Sequence, residues 1–307
     1  MTLVSNLPTG ADVAVPSPET PSQTHGKRKR RGRVSPLTYT VLSFMAFISI
    51  FPFYWMYVVA SNGSDVISKI PPSLTPGPHF GEVFSRIINA DTTNHWMFLH
   101  AILNTFEVSA IIAISNVFFS ALAGFALAKL RVPGKKNMLT FIVGTMMMPA
   151  QLGVIFMYMV MTWLNWISSY KALIIPALVG AFGVFWMRQL IDSQVPNELL
   201  EAARIDGASS FRTFSRIVFP AIRPAAFVLG LFSFLGTWND YLWPSLVLQD
   251  PRKYTVQVAI TQLSNSYTVD YQAIMGAALL GTAPLLVLFI FVGRRLVAGV
   301  MEGAVKG

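Results

Sequence analysis

The sequence predicts an all-α fold, a polytopic membrane bundle of six transmembrane helices. Hydrophobic residues make up 53% of the 307-residue chain and charged residues only 12%, whereas an ordinary soluble domain has about 25% charged residues. The mean hydropathy is +0.54. So few charges cannot cover a water-facing surface. Six apolar stretches each suffice for the roughly 20 residues that a hydrocarbon core requires, so most of the chain is predicted to lie in a membrane.

The six predicted spans follow one another along the chain. The first has no charge over its whole length, and it exceeds the apolar region of about 7 to 15 residues in a cleavable signal, so we interpret it as a retained helix. In the third, Pro149 and Gly153 are expected to kink one long helix, because neighbouring helices can satisfy the carbonyl that a proline frees. The spans cover approximately residues 37–60, 99–128, 138–167, 172–191, 219–248 and 271–292.

Residues 1–36 are predicted to be a disordered basic arm. The segment is rich in Pro, Ser and Thr, and such a composition buries too little apolar surface to offset the entropy of ordering. It ends in a basic run over residues 27–33. Because this run stands directly before an apolar stretch, we expect it to contact anionic lipid rather than nucleic acid. The membrane domain is therefore residues 37–307.

Lys and Arg are divided unevenly between the two sets of loops. If the N-terminus is inside, 18 of the 23 basic residues fall on the inner side. Cytoplasmic loops carry an excess of Lys and Arg, so both termini are predicted to be cytoplasmic in a multi-pass protein. Segment 61–98 then becomes an external loop.

The chain lacks residues on which several kinds of chemistry depend. It has no cysteine, which excludes disulfides, thiol nucleophiles and cysteine-ligated metals. Its four histidines show no H-E-x-x-H spacing, and no G-x-x-x-x-G-K-[ST] loop is present to hold ATP phosphates. We therefore predict no catalytic residue, metal site or cofactor site in this chain.

The longest predicted cytoplasmic connection, about residues 192–218, has the pattern of a helix-turn-helix. Pro196 can begin a helix, Gly207 can end it, and Ser209 or Ser210 can cap a second short helix. On the first helix, small or apolar residues and one carboxylate recur at i, i+3, i+4 and i+7. This face comprises Leu199, Ala202, Ala203 and Asp206. It would admit another protein closely, although a solvated helix packed on its own bundle explains the spacing equally well.

The residues of this loop also carry a resemblance. Glu201-Ala202-Ala203, then Gly207, then residues 217–220 (Ile-Val-Phe-Pro) resemble the EAA loop of permease subunits in type I ABC importers, with Phe219 where Leu is usual. The resemblance implies the type I ABC importer permease fold and a coupling helix that docks in a groove of an ABC ATPase. The residues it assigns to this coupling are Glu201, Ala202, Ala203, Arg204, Asp206, Gly207, Ile217 and Pro220.

Further segments extend the resemblance over residues 37–307 to the second permease of maltose-type carbohydrate importers. They are residues 223–225, 237–244 and 303–307. The resemblance implies a bacterial cell-membrane complex of this chain with a second, non-identical permease, two ATPase subunits that bind ATP and Mg, and an extracytoplasmic solute-binding protein. The implied substrate is a sugar, with a lean towards short glucosides such as cellobiose, and no nucleic acid is involved.

The resemblance also assigns a role to the C-terminal tail. Gly303, Lys306 and Gly307 are implied to contact the ATPase subunits. Three glycines over residues 299–307 predict that this tail has no stable helix of its own, because glycine loses the most conformational freedom on ordering.

Polar residues within the spans are candidates for a substrate pathway. An ionised group at the bilayer centre costs roughly 2.5 to 3.5 kcal/mol and usually faces a cavity or a partner, whereas an amide can equally hydrogen-bond a neighbouring helix. The candidates are Asn104, Glu107, Asn116, Gln151, Trp238, Asn239, Asp240 and Tyr241. The last four mix polar and aromatic groups that suit a sugar. The alternative function is a proton-coupled secondary transporter that uses Glu107 and Asp240 as relay groups.

The charge distribution makes a direct prediction of orientation. A cysteine introduced at Ser209 should react with a membrane-impermeant maleimide only from the cytoplasmic side, and one at Ser73 only from outside. No native cysteine competes for the reagent. Labelling of intact cells and of inverted vesicles checks both positions, and the reverse pattern would contradict the predicted orientation.

Overall fold

The computed structural model describes residues 35–62, 73–89, 98–263 and 270–304, and over these residues the chain forms helices and turns but no strand. We number the helices in chain order. They are α1 (Pro36–Ser61), α2 (Phe80–Asn89), α3 (Phe98–Lys129), α4 (Lys135–Met146), α5 (Val154–Trp163), α6 (Lys171–Ala177), α7 (Ala181–Gln194), α8 (Asn197–Ile205), α9 (Ser210–Trp238), α10 (Leu242–Val247), α11 (Val256–Gln262) and α12 (Tyr271–Ala304).

The chain divides into two units, Met1–Ser49 and Ile50–Gly307. In the first, the described residues are Ser35 and the N-terminal part of α1, and all are exposed. The predicted arm lies almost wholly outside the described residues. In the second unit, α1 ends in a buried turn at Ser61, whose hydroxyl accepts a 3.0 Å hydrogen bond from the Gly77 backbone N–H.

The predicted number of six membrane spans agrees with the described helices when one bent pair is counted as a single span. Five helical segments are long and apolar enough to cross a bilayer, and the bent pair lies between the second and third of them. The five segments are Pro36–Ser61, Phe98–Lys129, Lys171–Gln194, Ser210–Trp238 and Tyr271–Gly293. The all-α membrane bundle is thus confirmed.

The third span is broken, so the prediction of one kinked helix is wrong. Segments Lys135–Met146 and Gln151–Trp163 meet at 88°. Pro149 has extended backbone angles, φ −60° and ψ 123°. Its ring excludes helical geometry at the preceding residue and removes a helix N–H donor, and the chain re-enters helix only through a 3-10 turn at Ala150–Gly153.

The fifth span differs from its predicted limits at both ends. Helix α9 begins at Ser210, so the second short helix expected in the loop is continuous with the span. It stops at Trp238 rather than near residue 248, and the apolar residues beyond belong to the separate helix α10. Asn239 and Asp240 therefore follow the span instead of lying inside it.

The last helix runs further than the sequence predicts. Helix α12 continues to Ala304, so residues 299–304 extend an existing helix rather than form one of their own. Extending an existing helix requires no new nucleation, and each glycine costs only about 1 kcal/mol relative to alanine. Gly303 is thus helical, whereas Lys306 and Gly307 lie outside the described residues.

Helix α3 is the central element of the second unit, because it contributes to all three hydrophobic clusters. Phe125 packs in a cluster with residues of α7, α8 and α9. At the other end of the helix, Phe98 joins residues of α2, α9, α11 and α12. Between them, Ile112 packs with α5, α6 and α10.

Two short helices fall in segments that the sequence reasoning treats as loops, α2 and α11. Val83 and Ile87 of α2 are buried, and their i, i+4 spacing is the signal that could have revealed this helix. Arg86 pairs with Asp270 at 3.1 Å and so connects α2 to the start of α12.

A close approach between α3 and α7 tests the packing of this bundle. A methyl group on Gly124 of α3 would lie 2.8 Å from the backbone nitrogen of Arg188 on α7. We expect Gly124→Ala to lower the stability of the detergent-solubilised protein by about 1 to 3 kcal/mol, the usual cost of overpacking, as a fall in the thermal unfolding temperature. Gly144→Ala, where the added methyl meets open space, is the matched control. Equal unfolding temperatures for both variants would contradict the close contact.

Candidate functional site

Helix α8 begins and ends where the sequence predicts. Pro196 precedes it with extended angles, φ −60° and ψ 145°. Gly207 has φ +72°, a left-handed conformation that glycine adopts without steric cost. Two backbone hydrogen bonds close this end, from Gly207 N–H to the Arg204 carbonyl at 3.0 Å and from Ala208 N–H to the Ala203 carbonyl at 2.8 Å. This Schellman pattern satisfies carbonyls that a helix end would otherwise leave unpaired.

The chain then turns directly into α9. The Ser209 hydroxyl accepts a 3.3 Å hydrogen bond from Arg212 N–H, the usual role of an N-cap serine. A π-helical stretch at Phe214–Val218 follows. We attribute the widened turn to Pro220, whose ring would clash with the Arg216 carbonyl in regular α geometry and which has no N–H to donate.

A buried lysine holds α8 against the ends of two long helices. The Lys129 side chain is only 5% exposed. Its ammonium donates to the Asn197 side-chain oxygen at 3.0 Å and to the Asp192 carbonyl at 3.3 Å. The Asp192 carboxylate is 3.8 Å from Lys129 and 3.4 Å from Arg188. A buried charge requires such partners, so the last residue of α3 fixes the end of α7 and the start of α8.

The exposed face of α8 differs from the predicted one. Leu200 is buried in the cluster with Phe125 of α3, and Ala203 is only 7% exposed, so both side chains pack within their own chain. Leu199 is 51% exposed and Ile205 is 87% exposed. The exposed residues of this segment are Asn197, Glu198, Leu199, Glu201, Ala202, Arg204, Ile205, Asp206 and Gly207. Among the apolar ones, Ile205 is the residue that the predicted face omitted.

The other two coupling candidates lie on α9. Ile217 and Pro220 are half-buried. Between them, Val218 is completely buried in the cluster that also contains Leu200. The Ile-Val-Phe-Pro segment thus packs against the buried side of α8, and we interpret its apolar residues as part of the core beneath the loop.

Two of the predicted pathway amides connect elements of the chain. Asn104 donates to the carbonyls of Arg252 and Tyr254 at 3.0 and 3.2 Å. The Asn116 oxygen accepts from the Gly180 N–H at 2.9 Å, and its nitrogen donates to Ser233 at 2.7 Å. Both side chains therefore make the helix-to-neighbour hydrogen bonds that were the alternative to a pathway role.

The aromatic and polar residues at the end of α9 separate into buried and exposed groups. Trp238 is 1% exposed and donates to the Gly281 carbonyl at 3.2 Å, so in this structure it is a core residue and faces no open path. Asn239 and Tyr241 are exposed. Asp240 is half-buried beyond the end of the span, and its burial raises its pKa while the backbone N–H groups of Trp243 and Leu242 oppose that rise.

The remaining pathway candidates are exposed. Glu107 lies on α3 and Gln151 in the 3-10 turn that precedes α5. Among the residues that the structure describes, no three His, Asp or Glu side chains are grouped as metal ligands would be.

Comparison with known proteins identifies the class of this chain. The family model for the inner membrane component of binding-protein-dependent transport systems matches residues 116–300. The chain belongs to this family. Its members are permease subunits of ABC importers, which are not enzymes. Membership excludes the proton-coupled alternative, and binding-protein-dependent import implies a solute-binding protein and an ATPase as partners.

Individual relatives match over most of their length. The arabinooligosaccharides transport system permease protein AraQ of Halalkalibacterium halodurans is 27% identical over 287 residues, which cover 92% of this chain and all of the relative. The sn-glycerol-3-phosphate transport system permease proteins UgpE of Shigella flexneri and Escherichia coli O157:H7 are 31% identical over 268 residues, 86% of this chain and 95% of theirs.

A solved structure shares the fold. It is the crystal structure of a bacterial ABC transporter involved in the import of the acidic polysaccharide alginate. One chain of it aligns with a TM-score of 0.70 at 19% identity, over 84% of this chain and 94% of that one. The predicted permease fold is thereby confirmed.

The lysine contact predicts how firmly α8 is held. We expect Lys129→Met to speed amide hydrogen exchange over residues 197–205 at least tenfold, because hydrogen bonds to a charged group contribute about 1.5 to 3 kcal/mol and 1.4 kcal/mol corresponds to tenfold. Exchange of peptides from this helix is read by mass spectrometry. Arg131→Met, which removes an exposed cation two residues away, is the control. Unchanged exchange in Lys129→Met would show that α8 is held by its apolar contacts alone.

Proposed function

We propose that this chain is the permease subunit of an ATP-driven carbohydrate importer in a bacterial cell membrane, that it forms half of the translocation pathway, and that α8 docks on the ATPase. The named relatives transport an arabinooligosaccharide and a polyol phosphate, and alginate is a polysaccharide. Substrates rich in hydroxyl groups are common to all three. A carbohydrate, more specifically an oligosaccharide, is therefore the proposed substrate class.

The single observation that carries the docking proposal is the exposed face of α8. It presents Ile205 and Leu199 to the outside among charged side chains such as Glu201 and Arg204. Exposed apolar residues within a polar rim are typical of protein interfaces. Because Lys129 fixes the start of α8 and the buried Leu200 packs in the cluster with Phe125, a force applied at the exposed face would reach α3 and α9 rather than bend a free loop.

The division of labour between subunits follows from what the sequence contains. It has no phosphate-binding loop, so ATP and Mg are assigned to two partner ATPase subunits. The solute-binding protein would deliver sugar on the outer side. A second, non-identical permease would supply the other half of the pathway, and membrane lipid would cover the remaining apolar surface, where Phe291 is 75% exposed.

Four pathway candidates are accessible in the isolated chain. Glu107, Gln151, Asn239 and Tyr241 are exposed, which keeps them available for sugar contact in the assembled complex. Asn104 and Asn116 are proposed to support the pathway wall. We also propose that the C-terminal tail contacts the ATPase through Gly303, Lys306 and Gly307. Both termini are proposed to be cytoplasmic.

A charge placed on the docking face tests it. We expect Ile205→Glu to weaken association with the ATPase at least tenfold and to abolish the stimulation of ATP hydrolysis by loaded binding protein. Burying an unpaired carboxylate at an interface costs more than the 1.4 kcal/mol of a tenfold change. The permease itself should insert normally, because Ile205 makes little contact within its own chain. Co-purification and ATPase assays in proteoliposomes provide the measurements.

The matched control is Leu74→Glu. Leu74 is 58% exposed and lies in the predicted external segment, so the same change of chemistry is made far from the proposed interface. A charge at Ala203 would not test docking, because this residue is buried and the change would disturb the core. Normal ATPase association of Ile205→Glu, at matched expression, would contradict the docking proposal.

A further inference from the structure

A small cavity with several polar groups in a largely apolar wall lies within the second unit, between the middle of α3, α6 and the segment that follows α9. Its volume is about 80 Å³. Val108, Ile112 and Leu173 form an apolar part of the wall. Asp240, Ser109 and Thr255 supply polar groups.

Two hydroxyl groups of this wall have no partner although both are buried. Ser109 is 0% exposed and Thr255 is 2% exposed, and the side-chain oxygen of each makes no hydrogen bond with the described residues. Burying an unpaired hydroxyl costs about 1 to 3 kcal/mol. Native proteins usually meet this cost with an ordered internal water.

The neighbouring hydroxyls show that this arrangement is particular to the cavity. On the same helix, Thr105 and Ser115 each donate to the carbonyl four residues earlier, at 2.7 Å, whereas Ser109 does not. Thr255 precedes α11, but its side chain makes no capping bond. The Val256 N–H is instead satisfied by the Thr105 hydroxyl at 2.8 Å, which leaves the Thr255 hydroxyl to the cavity.

The volume decides what could occupy this space. A water molecule takes about 30 Å³ in the liquid, so there is room for about two or three. Sites for organic ligands usually measure about 300 to 1,000 Å³, so a sugar ring does not fit. The Asp240 carboxyl, with one oxygen 3.4 Å from the Trp243 N–H, offers further hydrogen-bonding capacity.

We propose that this cavity binds a cluster of about two water molecules that join the Asp240 carboxyl to the Ser109 and Thr255 hydroxyls. Asp240 is then a positioning residue, which holds the segment after α9 against α3 and the start of α11, and not a sugar ligand. This inference is independent of the transported substrate and of the ATPase contact.

Hydroxyl-radical labelling of the full-length protein in nanodiscs tests the cluster. Radiolysis of an internal water oxidises the side chains around it, so Leu173, which is 5% exposed, should be labelled severalfold more than Leu229, which is 2% exposed and does not line this cavity. When ¹⁸O water is added shortly before irradiation, ¹⁸O should appear in oxidised Leu173 only slowly, because the cavity water must first exchange with bulk water. Labelling of Leu173 no faster than that of Leu229 would overturn the proposal.

Variants separate the water cluster from a general packing effect. Thr255→Val combined with Ser109→Ala should reduce the Leu173 label to that of Leu229, whereas Thr255→Ser should keep it. Asp240→Asn should retain the label because the amide still hydrogen-bonds water, and Asp240→Leu should lose it. If Asp240→Leu fails to fold, the comparison of the Thr255→Val, Ser109→Ala double variant with Thr255→Ser decides. A label that disappears when choline replaces sodium would indicate a bound cation and overturn the water assignment.

Discussion

The close approach of α3 and α7 is the contact on which the rest of the second unit depends. Lipid tails are as apolar as leucine, so membrane helices associate through tight packing and hydrogen bonds rather than through a hydrophobic driving force. Gly124 lets the α7 backbone come near α3 at one end of the contact, and at the other end Gly183 faces Ser120 and Asn116. Five residues beyond Gly124, the same proximity brings Lys129 within reach of Asp192 and Asn197. The two glycines therefore bring the Lys129 contact within reach of α8, and Leu200 adds the apolar contacts.

Irregular backbone in other parts of the chain explains the two asparagines of α3. Where Lys171–Gln194 interrupts its helix before Gly180, the Gly180 N–H at the start of α7 needs an acceptor, and the Asn116 side-chain oxygen supplies it. Where the chain turns between α10 and α11, two carbonyls need a donor, and Asn104 supplies it. A broken helix at membrane depth must be satisfied by its neighbours. The two side-chain amides thus hydrogen-bond irregular backbone of neighbouring segments. An amide within a span is therefore ambiguous evidence of a substrate pathway.

Hydropathy predicted the number of spans, and residues that begin or end helices predicted the limits of α8, because both signals are local. Pro196, Gly207 and Ser209 act through their own backbone or side-chain geometry. The face of α8 could not be predicted in the same way. On so short a helix, Leu199 and Leu200 begin two overlapping stripes, and only the placement of Phe125 and Val218 decides that Leu200 is inside. Likewise, apolar residues continue from α9 into α10, so hydropathy overlooks the break at Asn239 and Asp240.

Helix α9 joins α8, the proposed ATPase contact, to the segment that contains Asp240. From Ser210 beside α8 to Trp238 beside Asp240 it has 29 residues, a length of roughly 43 Å at 1.5 Å per residue. Its two ends are fixed differently. Phe214 and Val218 are buried against α8, while Trp238 is held by Gly281 of α12. The π-helical stretch lies at the α8 end, and here the ladder of hydrogen bonds is interrupted before Pro220. A displacement of α8 would therefore be absorbed partly in this widened turn and carried by the regular remainder of α9 to the segment that begins at Asn239. The rigidity of this regular part of α9 and the contacts that hold Trp238 determine how much of the displacement reaches Asn239.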